Sequence, residues 1–143
     1  MLYFGYASNM DELQMADRCP GATIVDGAVL ADHRFVIAAE GFANVLPAPG
    51  DVVFGLLWQI TPADEAALDS YEGVRPGLYK KEEAEVTTTA GKSVRALIYL
   101  ASDTAFGRPR PGYLEQVVAA ARRHHLPDDY ITRLEGWFSG GND

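Results

Sequence analysis

VVFGLLWQI, residues Val52–Ile60, runs directly into TPADEAALDSYEG, residues Thr61–Gly73. The fold is decided at that junction, because the hydrophobic period changes there. The first stretch is apolar almost throughout and rich in β-branched and aromatic residues, as a strand buried on both faces would be. Gly55 inside it predicts a bulge or a close packing contact. In the second stretch Thr61 is placed to cap a helix, Pro62 to occupy its first position and Asp64 to sit at the third. That helix is expected to run through Leu68 to about Glu72 and stop at Gly73.

Upstream of the junction the chain reads mostly as strand. Leu2–Tyr6 is short, apolar and aromatic. Thr23–Leu30 and Arg34–Ala39 are apolar or β-branched runs around a turn expected at Asp32-His33. Asn9–Arg18 is expected as a short helix ended by Cys19-Pro20-Gly21, and Pro47-Ala48-Pro49-Gly50-Asp51 carries a strong turn signal. Downstream, Leu78–Thr89 and Lys92–Leu100 predict a hairpin joined near Ala90-Gly91, with Glu82, Glu83 and Glu85 on its solvated face. Two helices follow. Leu114, Val117, Val118 and Ala121 form one apolar stripe, and Ile131, Leu134 and Phe138 a second. The pattern is α+β: a twisted, barrel-like sheet with helices at its side or ends.

The chain has 143 residues with 12 Lys+Arg against 20 Asp+Glu, a net charge of −8. The length suits one domain, residues 1–143, and no repeat or linker divides it. About two-thirds of the surface of a chain this size can be buried, so a core needs no disulfide or metal to support it. An apolar fraction of 48% with 22% charged residues excludes intrinsic disorder. A sequence pI near 4.8 argues against nucleic acid and against electrostatic attachment to an anionic membrane. No apolar run is long enough for a transmembrane helix, and MLYFGYASNM lacks the basic and apolar regions of a signal peptide. Cytoplasmic residence is the default expectation. A lone cysteine, Cys19, excludes an internal disulfide and a cysteine-cluster metal site.

Two stretches are candidates for chemistry. Tyr3-Phe4-Gly5-Tyr6-Ala7-Ser8-Asn9 is a strand running straight into a helix start. Such a junction presents unpaired backbone N–H groups and the positive end of a helix dipole, which suits a carboxylate or a developing oxyanion. The same spacing fits plain capping, with Ser8 or Asn9 as the cap and Asp11 or Glu12 completing the box. The second stretch is Leu68-Asp69-Ser70-Tyr71-Glu72-Gly73-Val74. Asp69 and Glu72 share a helical face in a last turn where the dipole disfavours acids. A partly buried carboxyl there has a raised pKa, as a base that later acts as an acid needs near neutral pH. The competing reading pairs one acid with Arg75 or Lys80 on the surface.

Other groups offer less. Ser8 is not in a nucleophile elbow, and no dinucleotide, Walker or His-Glu-x-x-His pattern occurs. His124 and His125 are neighbours and share no helical face, so they suit a helix C-terminus better than a metal. Cys19 has no evident base partner, and Trp58 and Trp137 are expected in the core.

As a set, these residues resemble the γ-glutamylcyclotransferase (AIG2-like) family over roughly residues 2–138. Tyr3-Phe4-Gly5-Tyr6-Ala7-Ser8-Asn9-Met10 is similar to its Tyr-Gly-Ser-Asn loop. Pro49-Gly50-Asp51-Val52-Val53-Phe54-Gly55-Leu56-Leu57-Trp58 is similar to its Pro-Gly-Asp strand. Leu68–Gly73 followed by Gly77-Leu78-Tyr79 is similar to its catalytic segment. The resemblance implies a small mixed β-barrel flanked by helices. It implies intramolecular aminolysis of a γ-glutamyl amide, in which the α-amine attacks the γ-carbonyl and releases 5-oxoproline and a free amine, without metal or cofactor. Glu72 matches the family's acid/base. Tyr3, Phe4, Gly5, Tyr6, Ala7 and Ser8 match its substrate-binding loop, and Tyr79 and Tyr113 match tyrosines near its site. The family includes homodimers. Ala7 stands where the family has glycine, implying either backbone strain or a narrower pocket. The alternative is a non-catalytic protein that binds a carboxylate metabolite on the same fold.

Overall fold

The computed structural model describes residues 1–74 and 77–139. Strand β1 (Leu2–Gly5) leads through a 3₁₀ turn (Ser8–Met10) into helix α1 (Glu12–Arg18). Strands β2 (Thr23–Ile37) and β3 (Ala43–Gln59) follow, then helix α2 (Pro62–Tyr71), strands β4 (Tyr79–Thr88) and β5 (Ser93–Ala101), and helices α3 (Tyr113–Arg123) and α4 (Asp128–Glu135). A second 3₁₀ turn spans Gly136–Ser139.

The five strands close a barrel in the order β1-β3-β2-β4-β5. Every neighbouring pair is antiparallel except β1 and β5, which meet in parallel at Tyr3 and Leu97. Closure removes the free edges that an open sheet would expose. The interior is filled by Phe4, Val53, Leu57, Val86 and Ile98, all at most 1% exposed. Gly55 is required by packing: a methyl there would lie 2.5 Å from the Gly5 carbonyl oxygen and 2.9 Å from the Phe4 ring. The core continues under α3 and α4 through Leu114, Val117, Ala121, Ile131 and Leu134.

Several expected turns are not turns. Thr23–Ile37 is one strand, and the break foreseen at Asp32-His33 is a bulge within it. Asp32 adopts φ 59°, and its Oδ1 accepts from the Gly50 N–H at 3.0 Å. Pro47–Asp51 likewise lies inside β3. Pairing jumps from Ala31↔Val52 to His33↔Pro47, so 48–51 bow out opposite Asp32. The turn chemistry was real, but it bends a long ribbon where it was expected to end a strand. The hairpin reverses at 38–42, where Ala38 N–H bonds Phe42 O at 2.8 Å.

Helix α1 begins later than expected. Asp11 is its cap and accepts from Leu13 and Gln14, which frees Ser8 and Asn9 for other partners. Phe138 is 45% exposed, whereas Trp137 is 2% exposed. The helical period stops at Glu135, and the tighter 3₁₀ turn brings Trp137 inward in place of Phe138.

Candidate active site

Helix α2 delivers Glu72. Thr61 and Asp64 form a reciprocal capping box at one end, with Pro62 in the first turn. At the other end Glu72 is the C-cap, and Gly73 turns the chain away at φ 64°. That left-handed residue is what lets the helix stop with Glu72 directed into a cleft.

The cleft has a volume of about 640 Å³ and is lined by Tyr3, Tyr6, Ala7 and Ser8 from the first loop, by Glu72 and Tyr79, and by Tyr113. Seven of the nine residues singled out in the sequence therefore meet in one place. Phe4 and Gly5 do not line it. Phe4 is fully buried in the barrel, because alternation along β1 sends it to the face opposite Tyr3. Gly5 packs beside Asn9 and Trp58. Ala7 has φ −136°, so its methyl carries no left-handed backbone penalty. What remains of the two expectations for it is the methyl at the cleft wall.

Asp69 and Glu72 have separate environments. Tyr99 donates its hydroxyl to Asp69 Oδ1 at 2.6 Å, and Lys81 Nζ lies 3.0 Å from Asp69 Oδ2 and 2.8 Å from Glu65. Asp69 is thus matched with a cation, though by Lys81 where Lys80 had been considered. Lys80 instead lies 3.2 Å from Glu82. Arg75, also considered, is outside the described residues. Glu72 has no hydrogen-bond or ion-pair partner among the described residues. Burial pushes its carboxyl up from 4.5 to about 7, and the nearby Arg18 guanidinium pulls in the opposite direction.

The tyrosines divide by where their protons go. Tyr6 donates to Tyr99 O at 2.7 Å, and Tyr79 donates to Ala43 O. Tyr3 instead accepts from Asn9 Nδ2 at 2.8 Å, and Tyr113 accepts from Ala43 N–H at 3.1 Å. Tyr3 and Tyr113 therefore keep a hydroxyl proton to give. Burial raises all four phenols well above their ordinary value, so they stay neutral donors.

Sequence reasoning missed the network behind the loop. Gln14 Nε2 donates to Ser8 Oγ at 2.9 Å and to Asn9 Oδ1 at 3.0 Å, Arg18 Nη1 donates to Asn9 Oδ1 at 3.1 Å, and Gln116 donates to Gln14 at 2.9 Å. The relevant signal was present in α1: Gln14 and Arg18 are four apart and share a face. Phe42 and Arg110 at the cleft mouth had no sequence signal, since the hairpin end and a distant loop bring them together. Among the described residues no three His, Cys, Asp or Glu side chains gather as a metal site would need. Cys19 is buried beside the Asp64 carbonyl, with burial raising its thiol to about 11.

A family model described as AIG2-like matches residues 52–134, more than half of the chain. The chain belongs to the AIG2-like family. The matched residues contain the second half of β3, α2 with Glu72, the β4–β5 hairpin and α3, so the family signal covers the Glu72, Tyr79 and Tyr113 side of the cleft and leaves out the Tyr3–Ser8 loop. The γ-glutamylcyclotransferase of Mus musculus is 29% identical over 144 residues, covering 94% of this chain and 77% of that protein. The γ-glutamylcyclotransferase of Homo sapiens matches with the same identity and coverage. A solved γ-glutamyl cyclotransferase structure superposes with a TM-score of 0.89 at 28% identity, covering 100% of this chain and 89% of that one. The small mixed barrel flanked by helices is therefore the fold of this AIG2-like chain. Among the described residues no helix is long and apolar enough to cross a membrane.

Proposed function

We propose that this protein is a γ-glutamyl cyclotransferase that uses Glu72 as its acid/base. The carrying observation is Glu72 itself: a partly buried carboxyl that lines the cleft, has no hydrogen-bond or ion-pair partner among the described residues, and is pushed up to about 7 by burial. The similarity to proteins named γ-glutamylcyclotransferase supports the same reading.

In this account the substrate folds back so that its α-nitrogen faces its own γ-carbonyl carbon. Ionised Glu72 removes a proton from the α-ammonium group. The nitrogen lone pair then attacks the γ-carbon, forming the new C–N bond of a five-membered lactam. The carbonyl oxygen becomes an oxyanion, for which Tyr113 and Tyr3 have hydroxyl protons available. Collapse breaks the original amide bond. Glu72 returns its proton to the leaving nitrogen and takes the second proton from the ring nitrogen, giving 5-oxoproline and a free amine, which carries that proton away as its ammonium form. Nucleophile and electrophile are already in one molecule, so the protein has to supply orientation and proton transfer. The loop of Tyr3, Tyr6, Ala7 and Ser8 holds the glutamyl part, stiffened from behind by Gln14 and Arg18.

A protein that only bound a carboxylate metabolite would gain nothing from an unpaired buried acid, which repels an anion. The deciding experiment offers γ-glutamyl dipeptides and amines to the protein and measures 5-oxoproline. Release supports the cyclotransferase. Saturable binding of glutamate or 5-oxoproline with no turnover of any member supports the binding protein.

A further inference from the structure

Glu72 shares its cleft with a cation that it does not touch. Arg18, the last residue of α1, lines the same cavity and makes no ion pair among the described residues. Its Nη1 donates to Asn9 Oδ1 at 3.1 Å, and its guanidinium carbon lies 4.5 Å from the centre of the Tyr71 ring. Tyr71 ends α2, so the ring that carries the guanidinium is next in the chain to the acid. Asn9 is buried and itself fixed: its Nδ2 donates to Tyr3 at 2.8 Å, and its Oδ1 also accepts from Gln14 at 3.0 Å. Arg18 is therefore held between the first loop and the end of α2, short of an ion pair with Glu72.

That separation matters for an acid/base that has to work in both directions. Burial alone favours the neutral carboxyl, which cannot take a proton. A contact ion pair has the opposite fault. It keeps the carboxylate ionised but makes it a weak base toward an ammonium group. A cation held nearby without contact lies between these limits, and Arg18 pulls the Glu72 carboxyl down while burial pushes it up.

The other groups around Glu72 do not supply this. Tyr3, Tyr6, Tyr79, Tyr99 and Tyr113 stay neutral, because burial raises each phenol. On α2 itself, Asp69 is spent on Tyr99 and Lys81. Glu40 and Arg110 also line the cavity. They are neighbours of opposite sign, so their fields at Glu72 largely cancel.

We propose that Arg18, held off Glu72 by Asn9 and Tyr71, is a positioning residue that keeps Glu72 ionised enough to act as a base without pairing with it. The proposal deepens the cyclotransferase reading and rests on it for the role of Glu72.

The test uses two variants. Arg18→Gln keeps a donor for Asn9 and loses the charge. Arg18→Lys keeps the charge and loses the flat guanidinium over Tyr71. The carboxyl NMR signal of Glu72, assigned by its absence in Glu72→Gln, is followed through a pH titration. Arg18→Gln should raise its midpoint by at least about half a pH unit, and Arg18→Lys should raise it less. The climb of kcat/KM with pH for γ-glutamyl-alanine should move up by the same amount. The loss in Arg18→Gln is then roughly threefold or more near pH 6 and shrinks as pH rises. An unmoved Glu72 midpoint in Arg18→Gln overturns the proposal. So does a rate loss that is the same at every pH, which is what slackening of the Tyr3–Ser8 loop alone would give. If no γ-glutamyl amide yields 5-oxoproline, the cyclotransferase reading falls, and the carboxyl titration still decides whether Arg18 governs Glu72.

Discussion

Glu72 shows how one residue couples stability to chemistry. Its carboxyl binds a proton more tightly in the folded chain than in the unfolded one, since burial lifts it from 4.5 to about 7. The stabilisation from its protonated form is complete below about pH 4.5 and is lost as pH rises through about 7. Glu72→Gln cannot ionise. At pH 8 the variant is expected to be more stable than the wild type by on the order of 2 kcal/mol, with the gap closing by pH 4.5 in denaturant titrations. The tyrosines give a second residue-level contrast. Tyr79→Phe leaves the buried Ala43 carbonyl without its hydroxyl donor and should cost about 1–3 kcal/mol of stability. Tyr113→Phe leaves the Ala43 N–H without its acceptor and also removes a hydroxyl that lines the cleft, so it should cost stability as well and lower kcat more than Tyr79→Phe does. Paired unfolding curves and steady-state kinetics on both variants check this; equal kinetic losses would show that the sorting by proton direction is wrong.

At the scale of elements, the ends of α2 carry the site. Its start was legible in Thr61-Pro62-Ala63-Asp64 and its stop in Gly73, because capping and left-handed backbone are local properties. Gly73→Ala is expected to cost about 1 kcal/mol for placing a side chain at φ 64°. It should also lower activity by moving Glu72, which thermal unfolding and a rate measured on the same sample would show together. The long ribbon of β2 and β3 was not legible in the same way. Asp32 and Pro47-Ala48-Pro49-Gly50-Asp51 carry turn chemistry, and local signals do not say whether a kink ends a strand or bends it. Only pairing across the two strands resolves it, as the Gly50 N–H to Asp32 bond does. The start of α1 was misread for a related reason. Ser8, Asn9 and Asp11 can all cap, and Ser8 and Asn9 are drawn away by Gln14, Arg18 and Tyr3.

For the molecule as a whole, barrel closure brings residues 3, 6, 7, 8, 72, 79 and 113 to one cleft. No periodicity in the chain reports that convergence, and the resemblance to a family supplied it. Phe4 shows the limit of carrying a loop over as a block, since strand alternation turns it into the core. Phe42 and Arg110 show the opposite limit, because contacts far apart in sequence leave no local trace. Core packing should dominate global stability. Leu57, 1% exposed inside the barrel, is expected to cost about 2–5 kcal/mol on truncation to alanine, with a lower denaturant midpoint and an unchanged slope. The central claim concerns Glu72 as the acid/base of a cyclisation. Its most direct test follows 5-oxoproline released from γ-glutamyl-alanine by wild type and by Glu72→Gln, side by side from pH 5 to 9. The account predicts a wild-type kcat/KM that climbs through about pH 7 and a variant slower by orders of magnitude at every pH, though at least as stable at pH 8. A Glu72→Gln protein that turns over at the wild-type rate would contradict it.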